Sequence, residues 1–279
     1  MSAYPIRGRI LRERTRDGSA LEYYAYCPKG ARDDAPLLVA VHGYTRNAAE
    51  QMERFAPLCE AAGVVLVAPH FDAQRFSHYQ RLGGRGARAD HALDAMLAEL
   101  RASLGMLLGR LSLFGFSGGG QFAHRMVMAY PQRFTSAVVA APGWFTFPSS
   151  EHAYPRGTRG ARNKLGVPLR PEAFLRVPIL VAVGERDCHE DAENLRRTPA
   201  LDAQQGTNRL ERATRWVKAM QDAAAAHGCG SQVRLALIPN AAHSFADCME
   251  NGLGELVLAH VGISAPRALP TRKRLAAIV

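Results

Sequence analysis

The chain has 279 residues, 47% hydrophobic and 22% charged, with 25 Gly and 16 Pro. That composition is globular, excludes disordered, collagen-like and low-complexity classes, and suits one large domain or two small ones. The net charge is +10, but all but four of the 35 basic residues are arginines spread along the whole chain. Nucleic-acid binders gather charge on one face and interleave aromatics, so no nucleic-acid partner is expected. The densest basic run, Arg267 and then Arg272-Lys273-Arg274, reads as a solvated tail.

No apolar run approaches ~18 residues, so no membrane span is expected. The first residues lack the apolar core of a secretory signal. Five cysteines, an odd number without C-x-x-C spacing, read as thiols in a reducing compartment. A cytoplasmic location is the expectation. Cys188 and Cys248 flank candidate site residues, and a bridge between them is the less favoured reading.

In chain order, an antiparallel pair at 6–14 and 21–27, turning at Asp17-Gly18, is expected at a sheet edge. Six short apolar runs follow at 37–41, 64–68, 111–116, 137–141, 179–183 and 233–238. Most are continuous rather than alternating, as in parallel strands covered on both faces. Between them lie helical stripes. Leu93, Met96, Leu97, Leu100 and Leu104 form one, and Phe122, Met126 and Tyr130 another that Pro131 stops. A third helix is expected from Thr207 to His227, ending at Gly228. The alternation predicts an α/β fold with a doubly wound, mostly parallel sheet in a single domain. Residues 144–175 and 189–206 break the rhythm and read as inserted loops or a small cap.

Gly115-Phe116-Ser117-Gly118-Gly119 matches G-x-S-x-G between an apolar strand and an amphipathic helix, the setting of a nucleophile elbow. A serine hydroxyl needs a base to take its proton. His243, just past the last strong strand, is the candidate; His227 and His260 are not, because they fall at a helix end and in an apolar stretch. The base needs a carboxylate to orient it. Asp187, after Val183-Gly184-Glu185-Arg186, is the first choice, Glu185 the close rival and Asp191 a distant one. Backbone N–H groups of Gly118 and Tyr44 are the expected oxyanion donors. His42, ahead of Gly43-Tyr44, reads as a brace for that loop.

The four ordered motifs, His42-Gly43-Tyr44, Gly115 to Gly119, Gly184 to Asp187, and His243, resemble the α/β-hydrolase superfamily over about residues 20–262. The look is that of the polyhydroxybutyrate-depolymerase-like and feruloyl-esterase-like group, with its short cap and H-G-aromatic oxyanion loop. The resemblance implies a serine esterase using Ser117, Asp187 and His243, acting on a small or oligomeric ester. A peptidase or acyltransferase with the same triad is the alternative. A basic binding protein with a vestigial fold would have lost a triad member, and none is lost. Aromatic walls suited to an acyl or aryl group are expected from His70, Phe71, Tyr79, Trp144 and Phe245. Arg156, Arg159 and Arg162 read as a solvated loop, with attraction of an acidic substrate as the sharper alternative. No cofactor or metal is expected. His189-Glu190-Asp191 lacks metal-ligand spacing, and no glycine-rich nucleotide fingerprint has its acidic partner.

Overall fold

Eight strands join into one sheet in the order β1-β2-β4-β3-β5-β6-β7-β8 in the computed structural model, which describes residues 7–83, 86–109, 111–192 and 194–262. The basic run at 267–274 lies outside the described residues. β1 (Ile10–Arg14) and β2 (Glu22–Tyr26) are antiparallel to each other, and β2 is antiparallel to β4 (Val65–His70). The rest are parallel: β3 (Leu37–Val41), β5 (Leu111–Phe116), β6 (Ser136–Ala140), β7 (Ile179–Gly184) and β8 (Val233–Ile238). The edge hairpin and all six apolar runs therefore form strands; β1 begins at Ile10, four residues later than expected, and the other ends shift by at most two residues. This is the α/β-hydrolase fold.

The continuous apolar runs are explained by burial on both faces. Leu37, Val39 and Val41 point into one core, and Leu38 and Ala40 into the other. The first core is closed by α2 (Ala89–Leu104), α3 (Gly118–Ala129) and α7 (Arg209–Ala226). The stripe Leu93, Met96, Leu97 and Leu100 of α2 and the pair Phe122 and Met126 of α3 supply much of it. The second core is closed by α1 (Ala48–Ala62), α8 (Phe245–Glu250) and α9 (Leu253–His260). The sequence reading singles out none of these last three. α1 buries Met52, Phe55 and Cys59 on one stripe, but Gln51 and Pro57 dilute its period. Asn47 caps it by accepting from the N–H of Glu50 at 3.2 Å.

The two irregular segments contain short helices: α4 (Ala161–Leu165) and α5 (Pro171–Phe174) in the first, α6 (Pro199–Gln205) in the second. Residues 144–147 are pinned rather than loose. Gln205 accepts from Phe145 N–H at 2.8 Å and donates to its carbonyl at 2.9 Å. Trp216 Nε1–H donates to the Thr146 carbonyl at 2.8 Å. Every parallel strand ends on the same edge of the sheet, so the loops after β3, β5, β7 and β8 converge there.

Candidate active site

The backbone at Ser117 is the first sign of a specialised position. It has φ +53° and ψ −111°, a conformation that non-glycine residues rarely adopt. Its N–H donates to the Ala140 carbonyl at 2.8 Å, which holds the turn against the end of β6. The tightness explains the flanking glycines. A Cβ on Gly115 would collide with the carbonyl of Gly119, and one on Gly119 with the carbonyl of Val41 at the end of β3. Only bare backbone lets β5 and α3 meet at this angle.

The Ser117 hydroxyl donates to His243 Nε2 at 3.1 Å, across 126 residues of sequence. His243 Nδ1–H donates to Asp187 Oδ2 at 2.8 Å. The imidazole stacks on the Phe116 ring, with centroids 5.3 Å apart, and its side chain is 22% exposed. Asp187 is buried, and its other oxygen, Oδ1, accepts from the buried Arg209 Nη1 at 3.1 Å. Both carboxylate oxygens are thus occupied, and the negative charge is paired.

The neighbouring loops fix this arrangement through backbone contacts. Arg186 N–H donates to the Ala241 carbonyl at 2.9 Å, and Glu185 N–H to the Ile238 carbonyl at 3.0 Å. The Glu185 carboxylate accepts from Asn240 N–H at 3.1 Å, on the exposed side of the loop. The rival acid therefore faces away from His243 and ties down the loop that carries it. Asp191 is exposed. Arg209 is the partner that sequence reasoning missed, because one arginine among so many gives no signal.

His42 is buried and neutral. Its Nε2 accepts from Phe71 N–H at 3.0 Å, so the proton sits on Nδ1, which donates to the Gly43 carbonyl at 2.8 Å. Burial lowers its pKa to about 3. It braces the 42–44 loop, as expected. Tyr79 joins it, its hydroxyl placed between the carbonyls of His42 and Gly43 at 2.9 and 3.0 Å. The same hydroxyl lies against Gly118, where a Cβ would displace it. Tyr44 N lies within 3.4 Å of that Cβ position, so the two backbone donors sit side by side. Gly118 is the first residue of α3, whose N–H the helix itself cannot use.

A cleft of about 290 Å³ opens here, lined by Tyr44, Tyr79, Gln80, Ser117, Gln121 and Leu195 among others. Of the expected aromatic walls, Tyr79 lines it. Trp144 lines an adjoining cavity. Phe71 is fully buried, packed between Phe76, Tyr79 and Phe122. Phe245 fills the second core against Phe55, Phe114 and Phe116. Both are core residues rather than pocket walls, Phe71 in the first core and Phe245 in the second. His70 ends β4 beside Glu22 and does not line the cleft. Cys188 is exposed and Cys248 buried, and both are free thiols.

No family model matches the chain. Solved structures of similar shape include a poly(3-hydroxybutyrate) depolymerase from Bordetella parapertussis, 26% identical, covering 93% of this chain and 92% of that one, with a TM-score of 0.75. Poly(aspartic acid) hydrolase-1 from Sphingomonas sp. KT-1 is 23% identical over 89% of this chain and 97% of that one, with a TM-score of 0.77. An S-formylglutathione hydrolase from Agrobacterium tumefaciens is 15% identical over 91% and 94%, with a TM-score of 0.59. Among the described residues no helix is long and apolar enough to cross a membrane.

Proposed function

We propose that the protein is a serine hydrolase of carboxylic esters that works through an acyl-enzyme on Ser117. The observation that carries this reading is the continuous hydrogen-bond chain from Ser117 through His243 to Asp187 at the mouth of a cleft. Neutral His243 takes the hydroxyl proton as Ser117 Oγ bonds to the ester carbonyl carbon. Asp187, held by Arg209, keeps the Nδ1–H tautomer and balances the imidazolium. The carbonyl oxygen, now negative, is placed to accept from Gly118 N–H and Tyr44 N–H. His243 then gives its proton to the departing alkoxide. Water, activated by the same imidazole, releases the carboxylic acid and restores Ser117. The likeness to a depolymerase of a hydroxy-acid polyester supports an ester, small or oligomeric, as the substrate.

A fluorophosphonate probe tests the nucleophile, and a panel of p-nitrophenyl esters, peptides and acyl acceptors tests the reaction class. The expected result is covalent labelling and ester turnover in the native protein. Ser117→Ala, still folded, loses the labelling and roughly 10⁴-fold or more in turnover. Near-full activity in that variant would overturn the mechanism. Peptide cleavage without ester cleavage would shift the reading to a peptidase.

A further inference from the structure

A second cavity of about 260 Å³ is lined by Arg81, Trp144, Pro155, Arg156, Arg196 and Leu201, among others. It borders the Ser117 cleft. Arg196 lines both, and the chain neighbours Gln80 and Arg81, and Gly143 and Trp144, each line one and then the other. Its charge is one-sided. Among the described residues, Arg81, Arg156 and Arg196 form no ion pair, in contrast to Arg133 with Asp94, Arg197 with Asp202 or Arg215 with Glu211.

Trp144 carries two guanidinium groups on its ring, only one of them from the cavity lining. The Arg81 guanidinium lies 5.6 Å from its ring centroid, and that of Arg125 4.2 Å. Arg125 is fully buried, and its Nη2 has no hydrogen-bond partner. Its pKa is pushed down to about 10, mainly by burial, with the charge of Arg81 adding to the effect. Arg81 is lowered too, first by burial and then by Arg196, and its Nε is buried without a partner. Like charges gathered around one ring without a counter-ion cost stability, and an anion between them would relieve that cost. Guanidinium forks match a carboxylate in shape and charge.

We propose that this cavity is a carboxylate-binding subsite of the cleft, so that the favoured ester carries a free carboxylate beyond the bond that is cut. This deepens the esterase reading and rests on it. Arg81 and Arg196 would grip the carboxylate at the junction of the two cavities. Arg156, whose Nη1 donates to the Ala200 carbonyl at 3.3 Å, would present a third charge from the far wall. Arg159 and Arg162, exposed and not among the lining residues, take no part.

The test pairs substrates that differ only in charge. Free-acid esters are set against their methyl-capped forms, with the carboxylate on the acyl side (mono-p-nitrophenyl adipate) and on the alcohol side (a hydroxybutyrate trimer). The expected result is a kcat/KM about tenfold higher for the free acid in at least one pair, falling as salt is raised. Arg81→Gln and Arg196→Gln should lower kcat/KM about tenfold more for the free acid than for the capped ester, which removes the preference. Calorimetry of monomethyl adipate against dimethyl adipate, on the folded Ser117→Ala protein, reads the subsite without turnover. Binding of the monoacid that is lost in the arginine variants supports the subsite even if esters are not cleaved, which separates its fate from that of the esterase reading. Equal binding of the two adipates, or a preference that survives both arginine substitutions, overturns it.

Discussion

Asp187 and Glu185 stand two positions apart on one loop, yet their surroundings give them different work. Asp187 is 3% exposed, with one oxygen on His243 and the other on Arg209. Glu185 is exposed and accepts from Asn240 N–H. Asp187→Asn would keep the size but remove the charge and offer Nδ1 no reliable acceptor, so a loss of ~10⁴ in kcat is expected if the serine-protease comparison transfers. Glu185→Gln can still accept from Asn240, and its kcat should stay within a few-fold of the native value. Steady-state kinetics on both variants check the contrast, and the reverse order of damage would reassign the acid. The residue scale also shows what spacing could not reveal. Arg209 completes the Asp187 site from the first turn of α7, and nothing in its local sequence marks it out.

The elbow between β5 and α3 is a matter of backbone approach. Gly115 and Gly119 let strand and helix pass at distances that any side chain would prevent. Gly119→Ala places a methyl group on the Val41 carbonyl, which belongs to a central strand and cannot move aside. A destabilisation of about 1–3 kcal/mol or more is expected, read as a shift in the denaturant midpoint. Probe labelling at Ser117 should fall with it, because the helix start carries the Gly118 N–H. Stability unchanged from the native protein would mean that the turn relaxes more freely than this packing implies. The strand–elbow–helix unit was legible in the sequence because all its parts lie within a few residues. The α1, α8 and α9 layer was less so. Its stripes are short or diluted by polar residues, and it gains definition only by closing the second core.

Buried histidines connect the whole molecule to pH. His42 and His124 are buried and neutral, each accepting one backbone N–H and donating to one carbonyl. Burial lowers the pKa of His42 to about 3 and that of His124 well below its ordinary value of 6.5. In the unfolded chain both take up a proton near 6.5, so the unfolded state holds more protons as pH drops below that value. Their contribution to stability is therefore full above about pH 6.5 and is lost as the solution is acidified, by up to ~1.4 kcal/mol per pH unit for each. Denaturant unfolding between pH 7.5 and 5 should show this decline, before most carboxylates begin to titrate. A flat profile would mean that these rings gain protons without unfolding.

The sequence by itself determined the sheet, its two covered faces, the edge hairpin and the elbow. Each of these is written in short-range periodicity or in glycines a few positions apart. It also narrowed the site to a serine, a histidine and one of three acids, because parallel strands deliver their following loops to one edge. Only the tertiary structure set Asp187 rather than Glu185 against His243, brought Arg209 to that carboxylate, and sent Phe71 and Phe245 into the core rather than the cleft. It alone brought Arg81, Arg156 and Arg196 to the lining of one cavity beside Trp144. Those outcomes depend on strand order and on the direction of each side chain at a loop, which couple residues up to 126 positions apart. Local pattern carries no information about such distances, since the contacts exist only once the sheet has closed.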